Sequence, residues 1–385
     1  MTQKRAIITI TNLLTPSSME FNEFVRYRAP RFPEEEHYLV SLAAVATDFL
    51  RACESQSSRG NIAILSCGGR FLKFRRSLNS LLKALKRRNI PVVVHFGHPR
   101  AALIAQGLNL LFLRNVPTLY TIHSSFNLYP VHNKVLTCIN FFLAQRICFV
   151  SHAAFRAFPT CLLRIKKKKV CTIPNGVDLD RVDGMILTSQ ALQDTADDDS
   201  SARSPAADFK LINVGRLVKA KNQSWLIRLL PKLPERVVLT IIGEGELQAE
   251  LEALARDLGV GHRLRLTGLM ERERVYEELL TSQLFVASSI REGLPIAVLE
   301  AMAMRLPMLL SDIEPHKEIG YYGVSVGVTP LDTELWIARV NSLLTSSQAE
   351  RKRLGKNNRK IVESHFSLKK MHEQYTRIYE TLWNF

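Results

Sequence analysis

Short β-branched apolar segments alternate with amphipathic helical segments along almost the whole of this 385-residue chain. That rhythm restricts the fold more than any other feature. Strands joined by tight hairpins can run antiparallel, but strands separated by helix-length segments must run parallel, with helices covering both faces of the sheet. In the first half, strands are expected at Ala6–Thr11, Asn61–Ser66, Val92–Phe96, Thr118–His123, Ile147–Val150 and Val170–Ile173. Amphipathic helical stretches at Tyr38–Glu54, Leu78–Arg88 and His132–Gln145 lie between them. In the second half, strands are expected at Leu211–Val214, Val237–Ile242, Leu264–Thr267, Leu284–Ala287 and Pro307–Leu310. The clearest helix follows Gly245, where Leu247, Leu251, Leu254, Ala255 and Leu258 recur at helical spacing before Gly259. The length suits two doubly wound α/β domains. A boundary is marked by the turn residues Pro174-Asn175-Gly176 and by the polar tract Ala196–Pro205, which reads as a loop. The expected domains are 1–172 and 173–365, with ligands bound in a central cleft at the carboxyl ends of their strands.

Several classes are excluded. No apolar run is long enough to span a membrane: Val135–Ala144 is short, contains Asn140 and is followed by Gln145-Arg146. The N-terminal run Ala6–Thr11 is β-branched and lacks a small-residue cleavage site, so it reads as a strand and not a signal peptide; a cytoplasmic location is expected. Six cysteines are scattered without CxxC or zinc-like spacing, and His95 and His98 have no carboxylate or cysteine beside them, so no metal site is expected. Charge is segregated: residues 1–170 carry 25 Lys and Arg against 7 Asp and Glu, whereas the remainder carries 27 against 29. The first half therefore suits a polyanionic partner. Without an RNA-binding aromatic motif or a helix-turn-helix signature, nucleic acid is not expected. Arg70, Lys73, Arg75, Arg76, Lys83, Lys86, Arg87 and Arg88 surround Leu78, Leu81, Leu82 and Leu85 in a basic amphipathic helix, and Arg164–Lys169 adds a second basic run. Both suit an anionic lipid surface; a solvated face over a core stripe fits the same residues.

The strongest chemical signal is Arg291-Glu292-Gly293-Leu294-Pro295-Ile296-Ala297-Val298-Leu299-Glu300, directly after the strand Leu284–Ala287. Gly293 allows close backbone approach, and Pro295 suits the first position of a helix. The amides of Ile296 and Ala297 would then face out of the helix start, where an anion is stabilised. Glu292 precedes the helix and Glu300 lies on it, so one carboxylate can reach a reacting sugar while the other accepts from ribose hydroxyls. An ordinary strand–turn–helix with an acidic first turn fits the same pattern. After the strand Leu211–Val214, Gly215-Arg216 and Lys221 place two cations at a strand end, able to neutralise a departing diphosphate, and Asn222 is expected to cap the next helix. A third turn, Gly243-Glu244-Gly245, follows the next strand.

In order along the chain, Ile173-Pro-Asn-Gly-Val-Asp178, Val214-Gly-Arg-Leu-Val218 with Lys221, Ile242-Gly-Glu-Gly245, Thr267-Gly268 and Glu292 through Ala303 resemble the retaining GT-B glycosyltransferases of family 4. The two glutamates eight apart carry most of the likeness, which covers most of residues 147–320. The resemblance implies two Rossmann-like domains facing a cleft and a last helix, 366–385, that returns to the first domain through its stripe Met371, Tyr375, Tyr379 and Trp383. It further implies that Gly215, Arg216 and Lys221 hold the donor diphosphate, that Glu300 holds the ribose, and that Gly243 and Leu269 border the base. Glu292 and the backbone of Gly293 and Leu294 would meet the sugar, with His123 beside it; Val92–His98 and Tyr120–His123 look like the family's histidine-bearing strand ends. The implied reaction moves a hexose from a UDP- or GDP-linked donor, without a metal or other cofactor, to a saccharide or lipid-linked acceptor with retention of configuration. Bacterial surface polysaccharide synthesis at the inner face of the cytoplasmic membrane would be its setting. A sugar-nucleotide epimerase of the same fold, and a non-catalytic basic binding protein, stay open as alternatives. One departure stands out: Asn12–Phe21 holds no glycine where the family carries a glycine-rich loop, and Gly68-Gly69 occurs only after a later strand.

Overall fold

The computed structural model describes residues 4–12, 26–43, 61–108, 116–196, 208–323 and 326–384. Most of the Asn12–Phe21 stretch and of the Ala196–Pro205 tract lies outside them. The chain divides into two compact units, Met1–Asn175 with Leu368–Phe385, and Gly176–Ser367. The first crossing thus falls three residues beyond the expected 172/173 boundary, because the turn at Pro174-Asn175 stays with the strand that precedes it.

The first unit contains β1 (Arg5–Thr11), β2 (Glu35–Ser41), β3 (Ile62–Ser66), α1 (Phe71–Arg87), β4 (Val92–Phe96), α2 (Pro99–Leu108), β5 (Thr118–Ile122), α3 (Val131–Leu143), β6 (Arg146–Phe149) and β7 (Val170–Thr172). Its strands pair in the order β3-β2-β1-β4-β5-β6-β7, all parallel. Strand β1, reading Arg-Ala-Ile-Ile-Thr-Ile-Thr, is buried from Ala6 onward, as a strand covered on both faces must be. Phe74, Leu78, Leu82 and Leu85 of α1, Ala101 and Ala105 of α2, and Phe141 of α3 share one core with Ile8, Ile10 and Phe96.

One helix expectation fails. Tyr38–Ser41, the start of the stretch read as helical, is the end of β2, paired in register with β1 and β3; 44–60 lie outside the described residues. The strand was hidden by its opening Glu35-Glu36-His37, which is polar yet has Glu35 and His37 buried. Arg28 makes that burial tolerable. Its Nε and Nη2 donate to the two Glu35 carboxylate oxygens at 2.6 and 2.5 Å, and its Nη1 donates to Thr376 at 2.8 Å.

The second unit contains α4 (Leu179–Ala196), β8 (Phe209–Val214), α5 (Gln223–Leu229), β9 (Val237–Ile242), α6 (Gln248–Asp257), β10 (Leu264–Leu266), α7 (Arg272–Thr281), β11 (Leu284–Ala287), α8 (Ile296–Ala303), β12 (Met308–Ser311), α9 (Glu314–Gly320), β13 (Val326–Thr329) and α10 (Gln348–His365). The parallel order β10-β9-β8-β11-β12-β13 repeats the winding of the first sheet, with β13 as a strand that the sequence reading lacked. The last helix, α11 (Leu368–Trp383), belongs to the first unit. Leu368, Met371, Tyr375, Tyr379 and Leu382 pack on Ile7, Leu39, Val93, Leu119 and Cys148, the sheet face opposite α1–α3. Beneath it, His95 on β4 bridges Tyr379 at 2.8 Å and Thr121 at 2.7 Å, so this histidine is a core residue of the first unit.

Arg28→Met would leave the Glu35 carboxylate buried without its counter-charge and sever the bond to Thr376. We expect about 3 kcal/mol or more to be lost in urea unfolding; a loss below about 1 kcal/mol would show that the pair does not anchor α11.

Candidate functional site

In each sheet the strand order reverses once, between β1 and β4 and between β8 and β11. At such a switch point, neighbouring strands send their following helices to opposite faces and leave a crevice at their carboxyl ends. In the second unit, α5 packs into the core with Leu211 and Leu239, whereas α8 packs against α10. The loops after β8 and β11 are consequently side by side, and both sequence signals lie on them.

Backbone and side chains lace these loops together. The amide of Ile290 donates to the Ala220 carbonyl at 2.9 Å. Ser288 Oγ donates to the Asn222 carbonyl at 2.8 Å, and Asn222 Nδ2 donates to the Ser288 carbonyl at 3.3 Å. Asn222 stands at the N-cap of α5 but is left-handed, at φ 52°, and makes no cap hydrogen bond. Its side chain is committed to the neighbouring loop instead, which corrects the capping role expected for it.

Lys221 Nζ donates to Glu292 Oε1 at 2.5 Å, and Ser289 Oγ donates to the same oxygen at 2.8 Å. Glu292 lies four residues before the first residue of α8, so it is not a first-turn acid. Pro295 occupies the N-cap position, one residue earlier than expected, and Ile296 and Ala297 open the helix with amides that have no intrahelical acceptor. Gly293 is partly buried and Leu294 buried in the turn between Glu292 and Pro295. Arg216 is exposed, and its guanidinium has no protein partner among the described residues.

Glycines make the loops fit. A Cβ on Gly243 would stand 2.1 Å from the Gly215 carbonyl oxygen, and one on Gly245 would stand 2.3 Å from that of Leu217. A Cβ on Gly215 would press on the Lys221 side chain at 3.2 Å. The Gly243 amide donates to Gly268 at 2.9 Å, joining the loop after β10 to the set. The next residue, Leu269, is 66% exposed.

Glu300 is buried on α8. Tyr276 Oη donates to its Oε1 at 2.8 Å, and Arg272 Nη1 lies 3.4 Å from that same oxygen. Burial, and then the Glu300 charge, raise the Tyr276 phenol pKa, so it remains a proton donor to the carboxylate. With Oε1 so engaged, Oε2 is the oxygen left for another donor. Sequence reading missed both Tyr276 and Arg272; their only trace was a polar-aromatic helix, which any surface helix shares.

His316 on α9 was missed as well. Its Nδ1 lies 2.9 Å from the Ser311 carbonyl, which can only accept, so Nδ1 carries the proton and Nε2 presents a lone pair. That Nε2 is buried and has no hydrogen-bond partner among the described residues. Burial lowers the pKa to about 4, and Glu292 and Lys221 are the charged groups that act on it. Ser311 Oγ donates to the Ser289 carbonyl at 2.5 Å, linking this histidine to the loop that carries Glu292.

His123 belongs to the first unit, partly buried directly after β5, and His98 accepts the Arg100 amide at 3.3 Å. Among the described residues, no group of three or more His, Cys, Asp or Glu could hold a metal ion. The basic residues Arg75, Arg76, Lys83, Lys86 and Arg87 are all exposed on α1. No described helix is long and apolar enough to cross a membrane.

Two units wound in the same order, the second with cations and helix amides at its switch point, define the GT-B architecture. Residues 24–181 match the family described as Glycosyltransferase Family 4, and residues 194–361 match Glycosyl transferases group 1. The chain belongs to the GT-B glycosyltransferases of family 4, group 1. It is similar to EpsF of Bacillus subtilis, a protein named as a glycosyltransferase, with 34% identity over 152 residues, 38% of this chain and 37% of that one. Similarity extends to the N-acetylgalactosamine-N,N'-diacetylbacillosaminyl-diphospho-undecaprenol 4-alpha-N-acetylgalactosaminyltransferase of Campylobacter jejuni, 29% identical over 148 residues, 38% of this chain and 36% of that enzyme. Both alignments span little more than a third of the relative's length. Among solved structures, Anabaena HepE in complex with UDP and glucose superposes with a TM-score of 0.77 at 15% identity, covering 98% of this chain and 100% of that one. Sucrose-phosphate synthase from Thermosynechococcus elongatus gives 0.76 at 16%, covering 99% and 100%.

Gly243→Ala should force the β8 and β9 loops apart. We expect a loss of about 2 kcal/mol in thermal or urea unfolding, against no measurable loss for Gly261→Ala, where an added Cβ meets nothing within 4 Å.

Proposed function

We propose that this chain transfers a hexose from a UDP-linked donor to a saccharide or lipid-linked saccharide acceptor, with retention of anomeric configuration. The observation that carries the reading is the cluster at the second unit's switch point: Arg216, Lys221 and the α8 amides beside Glu292, with Glu300 held by Tyr276 and Arg272. In the resting site Lys221 is neutralised by Glu292. A donor diphosphate competes for that ammonium and for Arg216, releasing Glu292 to accept from sugar hydroxyls. The lone pair of His316 accepts another hydroxyl, Glu300 Oε2 accepts from the ribose, and Leu269 with Gly243 borders the base. His123, in the first unit, is assigned to the sugar as well.

In the transfer, the bond from sugar C1 to the β-phosphate oxygen breaks and its electron pair stays on that oxygen. The acceptor oxygen bonds C1 from the same face and gives its proton to the departing phosphate. Arg216, Lys221 and the helix amides stabilise the charge that grows on the diphosphate, a role worth about 10²–10³ in rate for one well-placed donor. No metal is assigned to the reaction.

The choice of UDP is supported by HepE, which holds UDP and glucose on the same fold. A lipid-linked acceptor and a role in bacterial surface polysaccharide synthesis draw support from the Campylobacter relative, named for a diphospho-undecaprenol acceptor. The exposed cations of α1 suit the anionic inner face of the cytoplasmic membrane, where such acceptors reside.

Thermal-shift titration should give a larger rise with UDP than with GDP, ADP or dTDP, and equal rises would overturn the base assignment. Lys221→Ala and Arg216→Ala should each lower kcat/KM by about 10²–10³; Arg216→Ala should leave the melting temperature of the unliganded protein unchanged, whereas Lys221→Ala should lower it, because Glu292 loses its partner. Turnover of UDP-sugar to a free or isomerised sugar with no acceptor present would favour the epimerase reading.

A further inference from the structure

From Ser55 through Val177 the chain contains no Asp or Glu at all, against 19 Lys and Arg. Within that stretch, α3 (Val131–Leu143) is built the wrong way round for a helix of an isolated domain. Its buried face holds Thr137, Asn140 and Phe141, with Asn140 donating to the Pro99 carbonyl at 2.7 Å. Besides His132, the exposed residues are apolar: Val131 is 78% exposed, Val135 54%, Ile139 40% and Phe142 44%. At about 100° per residue, these four positions fall within roughly 80° of the helix circumference, a single continuous stripe.

Cations border the stripe along its length. At its start, Arg100 Nη2 lies 3.4 Å from His132 Nε2. Lys134 lies on the helix itself, its ammonium 5.8 Å from the Phe126 ring. At its end, Lys166 Nζ donates to the carbonyls of Phe142 and Ala144, which fixes the tract Arg164–Lys169 beside the last turn. Ile165 in that tract is itself 66% exposed.

We propose that α3 lies in the interface of an anionic bilayer, with Val131, Val135, Ile139 and Phe142 in the acyl boundary and the surrounding cations on lipid phosphates. An apolar stripe ringed by cations and devoid of carboxylates is the chemistry of an interfacial helix. A second copy of this chain is a poor occupant, because an isologous contact would press the same acid-free basic border against itself. The inference deepens the membrane setting proposed above by naming the element that enters the lipid, and it differs from the sequence expectation centred on α1. The leucine stripe of α1 is core: Phe74, Leu78, Leu82 and Leu85 are buried. That helix contributes only its cations, with Phe71 and Leu72 exposed in its first turn.

Full-length protein would be sedimented with vesicles of phosphatidylcholine alone and with vesicles containing one-third phosphatidylglycerol. Binding is expected only to the anionic vesicles. Val135→Glu/Ile139→Glu should weaken it at least tenfold while leaving the UDP-induced thermal shift unchanged, so failure here and failure of the donor reading are told apart. Phe142→Trp should shift its fluorescence to the blue on vesicle addition. Undiminished binding by the double glutamate variant would overturn the proposal. So would a dimer of the wild-type chain in lipid-free sedimentation velocity that this variant dissociates, since the stripe would then belong to a second copy.

Discussion

A parallel sheet cannot be closed by hairpins, and this requirement sets where everything else in the molecule can go. Each strand must be left at its carboxyl end and re-entered from the far side through a helix. Where the winding reverses, between β8 and β11, two loops leave the sheet side by side. The loop carrying Lys221 and the loop carrying Glu292 come from positions 71 residues apart in the chain, yet they are fastened by reciprocal bonds between Ser288 and Asn222. Rigidity matters because the two charges face each other at 2.5 Å in a partly buried setting. Each charge of the pair compensates the other in that setting, and the laced loops fix both in position.

The first unit meets a different constraint. Its sheet face opposite α1–α3 is covered by α11, which arrives after the entire second unit has been traversed. Closing so long a loop carries an entropic cost that apolar packing can offset, but apolar packing alone specifies register poorly. The polar contacts under α11 supply the register. Arg28 grips Glu35 and Thr376 together, and His95 joins Tyr379 to Thr121. A slip of α11 by one turn would leave each of these groups buried without its partner.

This division explains what the sequence could and could not reveal. Strands such as Val92–Phe96 and Val237–Ile242 are apolar but for one residue each because both faces are covered, and they were legible at once. Strand β2 was not, since Glu35 and His37 owe their burial to Arg28 and to the C-terminal helix, partners that no local pattern announces. The same distinction runs through the site. Gly215, Lys221, Glu292 and Glu300 lie on two short segments with recognisable spacing. Tyr276, Arg272 and His316 act on them from elements whose own sequences look ordinary. Asn222 shows the limit most plainly: a good capping residue in the right place is turned to the neighbouring loop by its left-handed backbone and its bond to the Ser288 carbonyl.

Charge segregation has a physical consequence of its own. Most protein surfaces intersperse both signs, so that cations find carboxylates within the same chain. From Ser55 to Val177 there are no carboxylate side chains, so a cation there finds no acid within its own stretch. The pairs that do form in the first unit reach back to the few acids that precede this stretch, as Arg88 does to Glu36. The second unit, near neutrality, holds internal pairs such as those of Arg359 with Asp183 and Glu363. Charge thus divides between the units, with a cationic excess in the first and near balance in the second. Screening over about 10 Å at ordinary salt confines the reach of that excess to anions close to the first unit's own surface, so it acts by contact and not at long range.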